Sequence, residues 1–258
     1  KLTKTQSLTT IAAPISKTYE IAGALKQLEP QPVLFENIAE SNFRVAGNLF
    51  CDKAAFARYF DITPAEIIPR LTHAIEQRAP GPVVSDAPCQ EVVNLTPNLD
   101  DLPILRHCEQ DGGNYISAGV VIAKHPRHGQ NADFHRCMQI SPTEMAVRVV
   151  GSRHFDAYLK ELGQVDVAIC IGLPPNVLAA AAISVDLGVN ELDIAHALEP
   201  LPLAQARTVD LLVPAEAEFV LEGTVYRDRR HAEGPFVDLT ETYDVIRQEP
   251  VFEVKAIT

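Results

Sequence analysis

The sequence predicts an α+β chain, in which an N-terminal α/β region, residues 1–105, precedes a β-rich domain, residues 106–258. Three observations support this division. Apolar residues recur at helical spacing mainly in the first hundred residues. Segments rich in Ile and Val follow the Asp100–Pro103 stretch, and few long helical patterns accompany them. Many strands with few helices favour a barrel or a curled sheet for the second domain.

The N-terminal region combines short helices with at least one buried strand. Its expected elements are a helix over 16–28, a strand over 32–35, and helices over 52–60 and 64–78. The last helix has the strongest start signal, because Thr63 can cap it, Pro64 suits its first position and Glu66 follows three residues after the cap.

The second region reads as a series of strands. We expect them at 115–123, 134–140, 146–150, 165–172, 208–213, 217–225 and 251–257. An alanine-rich helix is expected over 177–183.

Charge and cysteine usage narrow the class of protein. The formal net charge is −12, which disfavours nucleic acid and anionic membranes as partners. No apolar run is long enough to predict a membrane span, and the first ten residues do not resemble a secretory signal. Five cysteines without a CxxC pair argue against a disulfide framework and against a thiolate zinc site, so we expect a reducing, cytoplasmic setting.

A polar segment, residues 131–138, lies where a strand is expected to begin. If the backbone is extended there, Asn131, Asp133 and His135 share one face. Phe134, Arg136 and Met138 then share the other. An arginine between Phe and Met either has a buried anionic partner or extends its head group to water, and the pattern leaves both open.

Other polar residues have an ordinary structural interpretation beside a functional one. His154 follows an apolar run and could be a satisfied structural histidine or a ligand. Glu191 could be a first-turn helix glutamate or a ligand. His125 and His128 surround an expected exposed turn, so we interpret them as solvated.

Glu233 and Asp238 surround a Gly-Pro turn and an apolar pair. If both carboxyl groups share a partly apolar pocket, one should have a raised pKa and could donate a proton near neutral pH. The alternative is a surface turn with solvated acids. The sequence has no phosphate-binding glycine loop and no nucleophile elbow.

Taken in order, these segments resemble the UbiD family of decarboxylases over nearly the whole chain. The specific part of the resemblance is the ordered set Asn131, Arg136, His154, Glu191 within Gly-Val-Asn-Glu, Leu221-Glu222-Gly223, and Glu233-Gly-Pro-Phe-Val-Asp238. Weaker support comes from 32–37 with 47–50, from 101–104 and from 111–116.

The resemblance implies prenylated FMN as cofactor, with Mn²⁺ or Mg²⁺ joined to the flavin phosphate and a monovalent cation such as K⁺ nearby. It implies metal ligation by Asn131, His154 and Glu191, and a catalytic network of Arg136, Glu233 and Asp238. The implied cofactor-binding residues are Asn131, Asp133, Phe134, His135, Arg136, Arg153, His154, Ile183, Ser184 and Glu191. Ser184 stands where some relatives carry proline.

The implied architecture for the second domain is a split β-barrel of the flavin-reductase-like type, and the family's C-terminal domain is expected to be missing from these 258 residues. The implied activity is reversible, non-oxidative decarboxylation of an aromatic, heteroaromatic or α,β-unsaturated carboxylic acid. A flavin prenyltransferase would supply the cofactor, and the full-length form would be a homo-oligomer. Two alternatives stay open: a non-catalytic cofactor- and metal-binding subunit of a multi-subunit carboxylase, and a metal-dependent hydrolase.

Overall fold

The structure, a computed structural model, describes residues 8–238 and 240–258, and these form two compact units. The first unit comprises residues 8–70, Asn98–Tyr115, 234–238 and 240–245. The second comprises Leu71–Pro97, Ile116–Glu233 and Ile246–Thr258. The domain boundary expected between residues 105 and 106 stays a prediction, because compact units and domains need not share their limits.

Within the described residues, the helices and strands have the following bounds. The α-helices are α1 (Glu20–Leu28), α2 (Lys53–Tyr59), α3 (Ile67–Glu76), α4 (His154–Leu162), α5 (Pro175–Ala181) and α6 (Glu191–Leu198). The strands are β1 (Thr9–Ile11), β2 (Val33–Phe35), β3 (Val45–Gly47), β4 (Val83–Val84), β5 (Tyr115–Ile116), β6 (Val120–His125), β7 (Gly129–Phe134), β8 (Cys137–Ser141), β9 (Glu144–Val147), β10 (Gln164–Ile171), β11 (Leu203–Gln205), β12 (Leu212–Pro214), β13 (Phe219–Glu233), β14 (Phe236–Val237), β15 (Tyr243–Asp244) and β16 (Arg247–Ile257). Short 3₁₀ helices cover Pro64–Glu66, Pro88–Gln90 and Leu99–Asp101.

The first unit has a small three-stranded sheet, in which β2 pairs in parallel with β1 and antiparallel with β3. Its core forms where α1 covers this sheet, because Ile21 on the helix packs with Val33, Phe35 and Ile38. All four side chains are buried. The expected strand over 32–35 is confirmed, and the expected helix over 16–28 begins four residues later, at Glu20.

The capping signal around Thr63 is confirmed. Glu66 Oε2 accepts hydrogen bonds from both Thr63 N and Thr63 Oγ1, each 2.8 Å long. These bonds satisfy groups that the start of a helix leaves unpaired. The chain accordingly turns here into a 3₁₀ segment and then into α3.

The second unit is built on an eight-stranded sheet in the order β5-β8-β9-β16-β13-β10-β6-β7. The long strand β13 lies at its centre, between β10 and β16, and all three pair antiparallel. Strands β12, β11 and β4 form a separate small sheet. The α+β fold class, with a β-rich part built on one large curled sheet, is confirmed.

The Leu221-Glu222-Gly223 segment has a structural explanation within β13. A Cβ atom added to Gly223 would lie 1.9 Å from Glu253 O and 2.8 Å from the Phe252 ring, so only glycine fits there. The register between β13 and β16 shifts at this point. The Glu222 carboxylate is fully buried and accepts hydrogen bonds from Arg207 N at 2.9 Å and Thr208 N at 2.5 Å.

Four expectations about individual segments are wrong. The strand expected over 115–123 is two strands, since β5 ends at Ile116 and β6 begins at Val120, and the two are not neighbours in the sheet. The strand expected over 134–140 is interrupted, since β7 ends at Phe134 and β8 begins at Cys137. His125 is only 2% exposed, and its ring packs against His128 and Tyr158, so it is not solvated. The strand expected over 208–213 is short, because Gln205 and buried Glu222 hold residues 207–211 as a loop.

Candidate active site

The site begins on β7, the last strand in the sheet order. This strand pairs only with β6 in the large sheet, with Asn131 opposite Ala123 and Ala132 opposite Ile122. Asn131 is 2% exposed, which is unusual for a polar side chain without specific partners. Its surroundings therefore require an explanation in terms of hydrogen bonds or a ligand.

Helix α6 brings Glu191 against Asn131. Asn190 caps the helix by accepting a hydrogen bond from Leu192 N, and Glu191 is its first residue. Glu191 Oε1 accepts from Asn131 Nδ2 at 2.9 Å, and Oε2 accepts from Ala132 N at 2.8 Å. Burial raises the pKa of Glu191 to about 7, although the hydrogen bonds from Ala132 and Asn131 act in the opposite direction.

Helix α4 brings His154 to the same place. Arg153 is the N-cap residue and His154 the first residue of the helix. The turn before the helix is held by Asp156 Oδ2, which accepts from Ser152 N at 2.7 Å. His154 Nδ1 lies 3.5 Å from Asn131 Nδ2, so three residues far apart in sequence converge.

The converging side chains have the donor set that a hard divalent cation prefers. Asn131 Oδ1 is buried and has no hydrogen-bond partner among the described residues. The amide nitrogen, Nδ2, is the atom that faces the Glu191 carboxylate and the His154 imidazole. A flip of the side-chain amide exchanges Nδ2 and Oδ1, and the resulting set of an amide oxygen, a carboxylate and an imidazole suits Mn²⁺ or Mg²⁺. No group of three or more His, Cys, Asp or Glu side chains in the described residues could hold a metal, so a site here depends on the amide oxygen.

A cavity of about 290 Å³ opens beside these three residues. It is lined by Asn131, Asp133, Phe134, His135, Val150, Arg153, His154, Ala181, Ala182, Ile183, Ser184, Val185 and Glu191. Nine of the ten residues expected to bind cofactor are in this lining, and Arg136 is not. Arg153 and Ser184 are joined across the lining by a 3.0 Å hydrogen bond.

The lining also contains residues that sequence reasoning missed, namely Val150, Ala181, Ala182 and Val185. Their only sequence signal is position, since they flank Arg153 or Ser184 along the chain. The expected alternation of faces is wrong at one position. Phe134 lines the cavity together with Asp133 and His135, because the extended backbone of β7 ends at this residue.

His135 is held on the cavity wall from two sides. Its Nδ1 lies 2.8 Å from Arg148 O, and its Nε2 lies 2.9 Å from Asp133 Oδ1 without good hydrogen-bond alignment. Burial alone would lower the pKa of His135, but the Asp133 carboxylate and the Arg148 carbonyl outweigh it and raise the pKa.

Arg136, the next residue in sequence, forms an ion pair with the buried carboxylate of Glu233. Its Nε donates to Glu233 Oε1 at 2.8 Å and its Nη2 donates to Glu233 Oε2 at 3.0 Å. The Arg136 side chain is 14% exposed and the Glu233 side chain is fully buried. Of the two interpretations left open for Arg136, the structure supports the buried, paired arginine over the solvated one.

Asp238 belongs to the first unit, whereas Glu233 belongs to the second. Asp238 Oδ1 accepts from Thr240 N at 2.8 Å and Thr240 Oγ1 at 2.5 Å. These hydrogen bonds hold the pKa of Asp238 below its usual value. The raised pKa expected for one of the two carboxyl groups is therefore not found at Asp238.

Two family models cover nearly all of the sequence. The 3-octaprenyl-4-hydroxybenzoate carboxy-lyase Rift-related domain matches residues 82–258. The N-terminal domain of the same carboxy-lyase matches residues 1–75. The chain belongs to the UbiD family. The resemblance inferred from the ordered motifs is thereby confirmed.

Curated UbiD-family relatives include enzymes from methanogens. The anhydromevalonate phosphate decarboxylase of Methanothermobacter thermautotrophicus is 37% identical over 248 residues, which are 93% of this chain and 58% of the relative. The enzyme of the same name from Methanosarcina mazei is 31% identical over 261 residues, 100% of this chain and 60% of the relative. The chain thus spans about three fifths of the length of these relatives.

Solved UbiD-class structures match the fold closely. An evolved dimeric form of HmfF from Pelotomaculum thermopropionicum, in complex with prFMN, gives a TM-score of 0.94 at 32% identity, over 97% of this chain and 61% of that one. Vanillic acid decarboxylase from Sedimentibacter hydroxybenzoicus, in its closed form, gives 0.93 at 25% identity, over 100% and 60%. In the described residues, no helix has the length and apolar character needed to cross a membrane.

Proposed function

We propose that this chain is the cofactor- and metal-binding part of a prenylated-FMN-dependent decarboxylase. The observation that carries the proposal is the convergence of Asn131, His154 and Glu191 beside one cavity. The complex of the UbiD-class enzyme HmfF with prFMN supports the choice of cofactor.

The three converging residues would hold Mn²⁺ or Mg²⁺ through the His154 imidazole, the Glu191 carboxylate and Asn131 Oδ1, which would replace Nδ2 in facing them once the side-chain amide is flipped. The cation would neutralise the flavin phosphate and so retain the cofactor. Arg153 and Ser184, joined to each other on the lining, would contact the flavin, with K⁺ as a further cation beside Ser184.

Loss of CO₂ from an sp² carbon leaves a carbanion that water does not stabilise, and the bound prenylated flavin supplies the necessary electron sink. Arg136 would orient the substrate carboxylate. Glu233 would hold the guanidinium in one orientation through its two hydrogen bonds. Arg136 and Glu233 together would thus fix the orientation of the carboxylate that leaves as CO₂.

Asp238 would return a proton to the carbon that lost CO₂. Because hydrogen bonds from Thr240 hold the pKa of Asp238 low, this role requires the carboxyl to give up those bonds when substrate binds. Glu233 is the other candidate for the same role.

The substrate would be an aromatic, heteroaromatic or α,β-unsaturated carboxylic acid, and the reaction would be reversible. The relatives support this range, since one is named for vanillic acid and others for anhydromevalonate phosphate. We further propose a cytoplasmic homo-oligomer that receives its cofactor from a flavin prenyltransferase.

The test uses the intact protein, co-expressed with a flavin prenyltransferase and supplied with Mn²⁺. Native mass and absorption should show a bound flavin heavier than FMN by one prenyl addition, and CO₂ release should identify substrates. Glu191→Gln should lose the flavin. Asp193→Asn, which removes a carboxylate two residues further along α6 and away from the cavity lining, should keep it.

The other outcomes distinguish the alternatives. Retained flavin with unchanged CO₂ release in Asp238→Asn would contradict the assigned proton donor. Flavin without turnover would favour a non-catalytic subunit of a carboxylase. A flavin-free protein whose activity disappears with a chelator would favour a metal-dependent hydrolase, although that function leaves the Arg136–Glu233 pair unexplained.

A further inference from the structure

A buried carboxylate in the first unit clamps the segment that leads into Asp238. Asp111 is 1% exposed, and both of its oxygens accept backbone hydrogen bonds. Oδ2 accepts from Cys108 N at 2.9 Å, within its own loop. Oδ1 accepts from Val237 N at 3.2 Å, across 126 residues of sequence.

Further contacts fix the same two segments. Gly112 N donates to Pro235 O at 2.8 Å, so the segment is held at two backbone positions, 235 and 237. Between them, the Phe236 ring packs on Tyr115 with a centroid distance of 4.5 Å. The Asp111 loop is itself braced, because Arg106 Nη2 donates to Asp111 O at 2.7 Å.

This arrangement requires a carboxylate rather than an amide. An ionised carboxylate offers only acceptors, so each oxygen can meet one N–H group. An asparagine at this position has one oxygen and one NH₂ group, and would set a donor against one of the two backbone donors. The mismatch would release either Val237 or Cys108, at the cost of an unsatisfied buried group.

We propose that Asp111 is a positioning residue for Asp238: by holding Val237 N it fixes the backbone from which the Asp238 carboxyl reaches the reacting carbon. The inference rests on the proposed role of Asp238. It assigns Asp111 no contact with substrate or cofactor. Its effect on the reaction therefore passes entirely through Asp238.

Two measurements test the inference, both in the intact protein. The first is hydrogen–deuterium exchange in protein without flavin, which should become at least about tenfold faster for the amides of residues 236–238 in Asp111→Asn, since a 1.4 kcal/mol loss of local stability is a factor of ten. Glu109→Gln is the control, because it removes a charge from an exposed residue of the same loop.

The second is a double-mutant cycle on the rate of CO₂ release by flavin-loaded protein. Asp238→Asn should lower kcat on the order of 100-fold, the usual size of a general-acid contribution. Asp111→Asn alone should lower kcat about tenfold with little change in KM. In the Asp238→Asn background, Asp111→Asn should change kcat less than about twofold, because the Asp238 carboxyl through which Asp111 acts is already absent.

Unchanged exchange at the amides of 236–238, or losses in kcat that multiply in the double variant, would overturn the inference. A general loss of folding in Asp111→Asn would speed exchange throughout the chain and would likewise count against a positioning role. If wild-type protein binds no flavin or releases no CO₂, the proposed function fails. Exchange at the amides of 236–238 then still decides whether Asp111 positions that segment.

Discussion

Arg136 and Glu233 form a bidentate pair, with Nε to Oε1 at 2.8 Å and Nη2 to Oε2 at 3.0 Å, and with no exposed surface on the glutamate. A charge buried to this extent is tolerated only when it is paired and hydrogen-bonded. Loss of either partner is therefore expected to destabilise the second unit.

Removal of one partner should be strongly destabilising. Arg136→Ala leaves the buried Glu233 carboxylate without two hydrogen bonds, and we expect a loss of about 3–5 kcal/mol in the free energy of unfolding, measured by urea denaturation. Arg229→Ala is the control, because its pairs with Glu144 and Glu253 are partly exposed and should contribute less than about 1 kcal/mol. Equal losses in the two variants would contradict this account.

Gly223 should tolerate no side chain. A Cβ atom 1.9 Å from Glu253 O forces β13 and β16 apart, so Gly223→Ala should lower the free energy of unfolding by about 1–3 kcal/mol or more. Gly23→Ala is the comparison, since nothing lies within 4 Å of the added atom in α1 and alanine favours helix by up to about 1 kcal/mol. If Gly223→Ala melted at the wild-type temperature, this prediction would be wrong, because β13 and β16 would then accommodate the Cβ atom with little loss of stability.

Glu249 should make stability depend on pH. Burial raises its pKa, although hydrogen bonds from Val149 N and Arg148 act in the opposite direction. A carboxyl group with a raised pKa in the folded state contributes stability below its unfolded pKa, about 4.5 for Glu249, and loses that contribution as pH rises through the folded pKa.

Glu249→Gln cannot ionise and should therefore lack this dependence. The free energy of unfolding of Glu249→Gln minus that of wild type should therefore be larger at pH 7.5 than at pH 4.5, as measured by denaturation at both pH values. Glu253→Gln, at a partly exposed position of the same strand, serves as control. A difference between Glu249→Gln and wild type that does not change with pH would contradict the raised pKa.

Asn131 should be essential for the cation rather than for the fold. Asn131→Ala removes the unpaired Oδ1, so we expect Mn²⁺ affinity in flavin-free protein to fall by about tenfold or more, as measured by electron paramagnetic resonance. Asn176→Ala is a useful control, because its amide is equally buried and its Oδ1 is also unpaired, but its Nδ2 donates to Ala195 O and Glu199 O and the residue does not line the cavity. Equal Mn²⁺ affinity in wild type and Asn131→Ala would exclude the amide as a ligand.

Local features of the fold were predictable from the sequence, whereas contacts between residues far apart in the chain were not predictable from local patterns. The capping box at Thr63 and Glu66 is local chemistry, and it was predictable from spacing. The convergence of Asn131, His154 and Glu191 came from motif order, because no periodicity links residues on a strand and two helices. Burial of His125 depends on Tyr158 of α4, which local sequence does not reveal. Asp111 shows the same limit, since its partner Val237 is 126 residues away.

The most direct test of the central claim is anomalous diffraction at the manganese edge from crystals of the intact, flavin-loaded protein grown with Mn²⁺. We predict one strong peak within about 2.0–2.3 Å of Asn131 Oδ1, a His154 ring nitrogen and a Glu191 oxygen, with the flavin phosphate beside it and the flavin in the cavity. A flavin bound elsewhere, or a manganese peak away from these three residues, would contradict the account.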